Sequence, residues 1–203
     1  MSSTAPTTAT TRHVQRLQLL TLTWISVEAV VALWAAWQAR SVALAAFGGD
    51  SLIEWASAAV VFGRFHRTGF VTERVAARIA GGLLLGLAVC VVLASSSSLL
   101  GAHAPQPSPV GIVLLGLAAV VMPWLAREKR VLAATTGSAA LRADATESAL
   151  CGYLAWIALG GLIVNAWWTL PWADSVAALA LVPLIGREGW SAIRDAKLCQ
   201  DCS

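Results

Sequence analysis

The chain has 203 residues, 58% of them hydrophobic and 12% charged, with a formal net charge of +3 and a mean hydropathy of +0.71. These values exclude a soluble globular domain and leave a multi-span membrane protein. A positive balance this small reports membrane orientation and gives no reason to expect nucleic-acid binding.

Apolar runs of about 20 residues, the length that spans a bilayer, occupy roughly 17–38, 41–63, 76–99, 109–126, 140–166 and 172–192. The expected fold is therefore an all-α membrane protein with six transmembrane helices. The expected organisation is a disordered cytoplasmic N-terminus (1–16), a six-helix membrane domain (17–192) and a short cytoplasmic tail (193–203). The Ser/Thr-rich start does not read as a signal peptide, and Cys90, Cys151, Cys199 and Cys202 do not form a disulfide framework. Thirteen of the fourteen Lys and Arg fall at the N-terminus, around the 2–3 and 4–5 connections, or at the C-terminal end (Arg187, Arg194 and Lys197). Arg40 alone lies on the other side. By the positive-inside rule both termini are cytoplasmic, in a multi-pass protein of the cell membrane.

In span 1, Glu28 stands in an apolar helix, either as an interior acid tying two helices together or as a proton-carrying residue beside an ion path. Trp34, Trp37, Trp167, Trp168 and Trp172 would lie at the outer interface, and Trp124 and Trp190 at the inner one. Trp24, Trp55 and Trp156 are expected to pack between helices.

Span 2 carries Asp50 and Glu54. A spacing of four puts both carboxylates on one helical face, about 6 Å apart along the axis. Each acid near mid-membrane costs roughly 2.5–3.5 kcal/mol on insertion scales, so the pair needs a partner. Gly48 and Gly49 allow close helix contact or a kink. Span 3 contains Gly82-Leu83-Leu84-Leu85-Gly86, a GxxxG pattern that suits helix association. His103 reads as a solvated loop residue. Span 4 is expected to be short and to end near Pro123-Trp124, with Arg127–Arg130 as a topological anchor.

Span 5 presents Asp144, Glu147 and Cys151 at i, i+3 and i+7, hence on one face. Asp144 is expected to pair with Arg142 or cap the helix, with lining an entrance as the other reading. Asp174 opens span 6 as an N-cap or first-turn acid. Pro183 is a candidate kink. The tail ends Cys199-Gln200-Asp201-Cys202, which is either an unstructured tail or two thiols that catch a soft metal ion.

Spans 2, 5 and 6 resemble the cation diffusion facilitator family, whose spans 2 and 5 carry a small-Asp-small-x-His/Asp-x-x-x-Asp pattern. Span 2 here reads Gly49-Asp50-Ser51-Leu52-Ile53-Glu54, and span 5 reads Thr146-Glu147-Ser148-Ala149-Leu150-Cys151. The start of span 6, Trp172-Ala173-Asp174-Ser175, and its exit, Glu188-Gly189-Trp190 with Arg194-Asp195, are similar too. The resemblance implies a homodimeric exporter of divalent metal, commonly zinc, driven by inward proton flow. It maps four transport ligands to Asp50, Glu54, Glu147 and Cys151, with Glu28, Asp144 and Asp174 as accessory candidates. Glu147 stands where the family usually has His or Asp, and Cys151 where it usually has Asp. The family's cytoplasmic metal-binding domain is not expected within these 203 residues, which directs attention to the span 3 GxxxG for dimerisation.

Three carboxylates and one thiolate suit tetrahedral Zn²⁺. The oxygens also suit Mn²⁺, Fe²⁺ or Co²⁺, and the thiol suits Cd²⁺. Carboxyls away from water hold protons when the site is empty, and a divalent cation displaces them. Metal ions, protons, the lipid bilayer and a second copy of the chain are the expected partners, with no organic cofactor. The rival readings are a non-transporting structural or regulatory membrane protein, a metal importer and a proton-only channel. An enzyme is not expected: no nucleophile, base and orienting group come together, and His13, His66 and His103 all lie outside the spans.

Overall fold

The structure is a computed structural model that describes residues 8–65, 73–101, 104–136 and 139–198. Six helices follow in order: α1 (Thr8–Ala39), α2 (Val42–Phe65), α3 (Glu73–Leu99), α4 (Pro109–Thr136), α5 (Ala139–Trp168) and α6 (Trp172–Leu198). No strand occurs among the described residues. Among the described residues, five helices, α1 and α3–α6, are long and apolar enough to cross a membrane. α2 is of comparable length, 24 residues, and carries Asp50 and Glu54 in its middle. It packs against α1, α3, α5 and α6, so its acids are sheltered by protein.

The short links place the 1–2, 3–4 and 5–6 connections at one end of the bundle and both chain ends at the other. At the connection end, Gln106 N donates to Ala39 O at 2.7 Å and Asn165 Nδ2 donates to Pro105 O at 3.2 Å. At the terminal end, Gly81 of α3 and Gly189 of α6 meet backbone to backbone. A Cβ on Gly81 would fall 2.6 Å from Gly189 O, so only glycine permits that crossing. The GxxxG pair behaves differently: Gly82 and Gly86 face outward with nothing within 4 Å of a built Cβ.

Three boundaries differ from expectation. α1 begins at Thr8, so 8–16 is helical, not disordered; residues 1–7 lie outside the described residues. α6 runs to Leu198, into the expected tail. α4 does not stop near Pro123 but runs 28 residues, from Pro109 to Thr136. Proline removes one helical hydrogen bond, a loss that neighbouring helices make tolerable in membrane bundles. Here the Pro123 ring seats against α5, where a Cβ on Gly152 would come 3.0 Å from it.

The core interleaves small and large side chains. Ala32, Ala43, Ala46, Ala118, Ala155, Ala158 and Ala178 are buried beside Phe47, Leu115, Met122 and Leu154, while Val30, Leu93, Val120 and Leu100 point outward. Small residues let the helices approach closely, and lipid leaves large apolar ones free to face outward as well as inward. The same physics corrects the reading of two tryptophans. Trp55 and Trp156 are exposed on the bundle surface, not packed between helices, and Trp24 is half-buried.

The turn between α1 and α2 is a Schellman-type stop. Ser41 N donates to Ala36 O at 3.1 Å, and Arg40 takes the left-handed conformation at φ 51° where glycine is usual. Ser41 then caps α2: its Oγ accepts from Leu44 N at 3.1 Å. The next free amides are taken by Asp174 of α6, whose Oδ2 accepts from Val42 N at 2.8 Å and Ala43 N at 3.4 Å. Its Oδ1 accepts from Ser41 Oγ at 2.5 Å. Asp174 lies in the first turn of α6, yet the helix it caps is α2. Asp174→Ala strands these buried donors and is expected to destabilise the bundle by about 1–3 kcal/mol. Thermal unfolding in detergent reads this as a lowered midpoint, and an unchanged midpoint would contradict the cap.

Candidate functional site

Asp50 and Glu54 take their places because α2 approaches its neighbours closely just before them. A Cβ on Gly48 would lie 3.0 Å from Ala32 Cβ of α1, and one on Gly49 would lie 2.9 Å from Leu87 Cδ1 of α3. Asp50 is consequently 6% exposed. Glu54 is half-buried, and its Oε1 is shielded from solvent without a hydrogen-bond partner.

From α5, Cys151 points into the core, whereas Glu147 is exposed. The group that Cys151 meets is Glu28 of α1: Sγ donates to Oε1 at 3.4 Å. Ser51 Oγ, next to Asp50 in sequence, reaches the same Oε1 at 3.2 Å and the Phe47 carbonyl oxygen at 3.1 Å. Glu28 is fully buried, and its Oε2 has no hydrogen-bond partner.

These acids share one electrostatic neighbourhood. Asp50 lies in the field of Glu188, Glu28 and Glu147. Glu54 lies in that of Glu147, Asp50 and Glu28, with Lys129 acting in the opposite sense. Cys151 feels Glu28, Glu54 and Asp50. So many carboxyls in a low-dielectric interior need compensating positive charge, which protons or a cation must bring. The side chains are neighbours rather than a finished shell. Among the described residues, no three His, Cys, Asp or Glu are gathered closely enough to hold a metal ion.

A second polar cluster lies toward the terminal end. Lys129 of α4 is fully buried, and its Nζ donates to Asp144 Oδ1 and Ser148 Oγ, both at 2.8 Å. Gln18 Nε2 of α1 donates to Asp144 Oδ2 at 2.8 Å. Asp144 therefore pairs with Lys129 and neither caps its helix nor requires Arg142, whose side chain lies outside the described residues. The basic run Arg127–Arg130 reads in sequence as a solvated anchor, and that reading missed Lys129. The available signal was the i, i+4 pair Asp144 and Ser148, one polar edge on α5 that needs a donor. Glu188 was noted only as part of an exit motif; it stands half-buried on α6 near Asp50 and Glu147. His103, Cys199 and Cys202 lie outside the described residues.

Residues 19–198 match the family model described as the cation efflux transmembrane domain. No curated protein gives a significant match to the chain.

Proposed function

The chain belongs to the cation efflux family, as a multi-pass membrane transporter of divalent cations and not an enzyme, and on this premise we propose that it exports Zn²⁺ from the cytoplasm by proton antiport. The proposed transport site lies between α2 and α5 and uses Asp50, Glu54, Glu147 and Cys151. The observation that carries this reading is the shared field of Asp50, Glu54 and Glu147 within a bundle whose α2 is covered by four other helices. A divalent ion and two protons are interchangeable ways of neutralising such a set.

Each donor has a chemical part. The carboxylates supply hard oxygens and the sites from which protons leave. Cys151 supplies the soft donor that favours Zn²⁺ or Cd²⁺ over Mn²⁺ or Fe²⁺. The 13-to-1 distribution of basic residues supports cytoplasmic termini. The outward Gly82 and Gly86 support a homodimer formed through α3.

The test is flux in reconstituted vesicles carrying an internal metal indicator and a pH dye. Zn²⁺ movement is expected to be accompanied by opposite proton movement, and Glu147→Ala is expected to abolish both. Absence of metal-dependent proton movement, or unchanged flux in Glu147→Ala, would overturn the proposal.

A further inference from the structure

We propose that Glu28 of α1 is itself a metal ligand, pairing with Cys151, so that the cation is held by three helices and not by α2 and α5 alone. This rests on the transport reading above and extends its ligand set to a helix that carries no part of the α2 and α5 motifs.

The first argument is geometric. In a tetrahedral zinc site with Zn–S about 2.3 Å and Zn–O about 2.0 Å, a sulfur and an oxygen on the same ion stand about 3.5 Å apart. Cys151 Sγ and Glu28 Oε1 are 3.4 Å apart. An ion beside the Sγ–Oε1 line would be bonded to both atoms at this separation; the Sγ–H bond breaks as the Sγ–metal bond forms, and the thiol proton leaves in exchange for the metal.

The second argument is the unmet valence of the carboxylate. Glu28 is fully buried, and Oε2 has no hydrogen-bond partner. Buried polar atoms are nearly always paired, and an exception calls for an ion or another unseen partner. Trp24, one turn earlier on α1, faces the carboxylate, but its Nε1 does not reach hydrogen-bond geometry with it. Glu54 Oε1 of α2 is shielded and unpaired as well, and Cys151 lies in the field of Glu54. Glu28 and Cys151 thus form the pre-placed pair, one carboxylate and one thiol of the kind that takes Zn²⁺ or Cd²⁺, and Glu54 would have to move toward them to complete a site.

A purely structural Glu28 makes the same bonds to Ser51 and Cys151, so the test must separate ligation from packing. The protein is the full chain in detergent, with Cys90, Cys199 and Cys202 changed to Ser so that Cys151 is the single thiol. Cd²⁺ titration is expected to raise a thiolate-to-metal charge-transfer band. Glu28→Gln keeps the size and an accepting oxygen but removes the anion. It is expected to weaken Cd²⁺ binding by at least ~10-fold, the loss seen when even an outer hydrogen-bond partner of a ligand is removed.

Glu28→His offers a nitrogen donor instead, and is expected to bind more tightly than Glu28→Gln and to shift the Co²⁺ visible spectrum. Wild-type Cd²⁺ affinity in Glu28→Gln would overturn the proposal, as would a Co²⁺ spectrum in Glu28→His identical to that of the parent. Should the Gln variant not fold, the His spectrum decides alone. Metal flux without a thiolate band would remove this ligand pair and leave the transport reading standing. A thiolate band sensitive to residue 28 without flux would do the reverse.

Discussion

Asp50→Asn is expected to reduce Zn²⁺ flux in vesicles by about 100-fold, the upper end of what loss of a supporting group does to a metal site, while leaving the protein folded. The change is isosteric, and nothing in the packing of Gly48 and Gly49 against Ala32 and Leu87 depends on the charge at position 50. What it removes is one of the anions in a field shared with Glu28, Glu147 and Glu188. The remaining acids carry less negative charge to draw a divalent ion into a low-dielectric site. Flux and a monodisperse elution profile should be measured on the same preparation. Wild-type flux in a folded Asp50→Asn protein would remove Asp50 from the transport path.

Lys129→Met carries the largest expected effect on stability. It leaves Asp144 and Ser148 without the ammonium that joins them, and Asp144 with Gln18 as its remaining hydrogen-bond donor. Breaking one partner out of a buried ion pair costs about 3–5 kcal/mol, because the remaining charge is uncompensated. Adding Asp144→Asn to Lys129→Met removes that charge and retains an acceptor for Gln18, so the double variant is expected to regain a large part of the loss. Thermal or denaturant unfolding of wild type, both single variants and the double variant gives the coupling directly. Additive losses would show that Lys129 and Asp144 act independently.

The helices were legible in the sequence because span length and charge sidedness are imposed by the bilayer itself. The ladder of apolar runs located α2, α3 and α5 to within three residues at each end. Misreadings arose where a tertiary partner decides. Pro123 looks like a stop until Gly152 of α5 makes room for its ring. Lys129 looks like one more surface cation until Asp144 is found opposite it. Trp55 and Trp156 look like core residues by soluble-protein habit, and the bundle turns them toward lipid.

The proposed ligands show the same division. Spacing alone singles out Asp50 and Glu54, and an expected common face singles out Glu147 and Cys151, of which the bundle buries Cys151 and leaves Glu147 exposed. That Cys151 meets Glu28 could not be read this way, because α1 carries one isolated acid with no periodic companion to mark which helix it faces.

The cap that Asp174 places on α2 fastens the start of that helix to the start of α6. It makes a joint at the connection end, and α2 hangs from it like a pendulum. Asp50 and Glu54 lie about 12 and 18 Å down that arm at 1.5 Å per residue. A swing of about 10° would carry Glu54 roughly 3 Å and Asp50 roughly 2 Å, given those arm lengths. The two carboxylates would travel unequal arcs yet keep their mutual spacing, so one rigid helix pivoting at one fixed point would change their distances to Glu28 on α1 and Cys151 on α5 by different amounts.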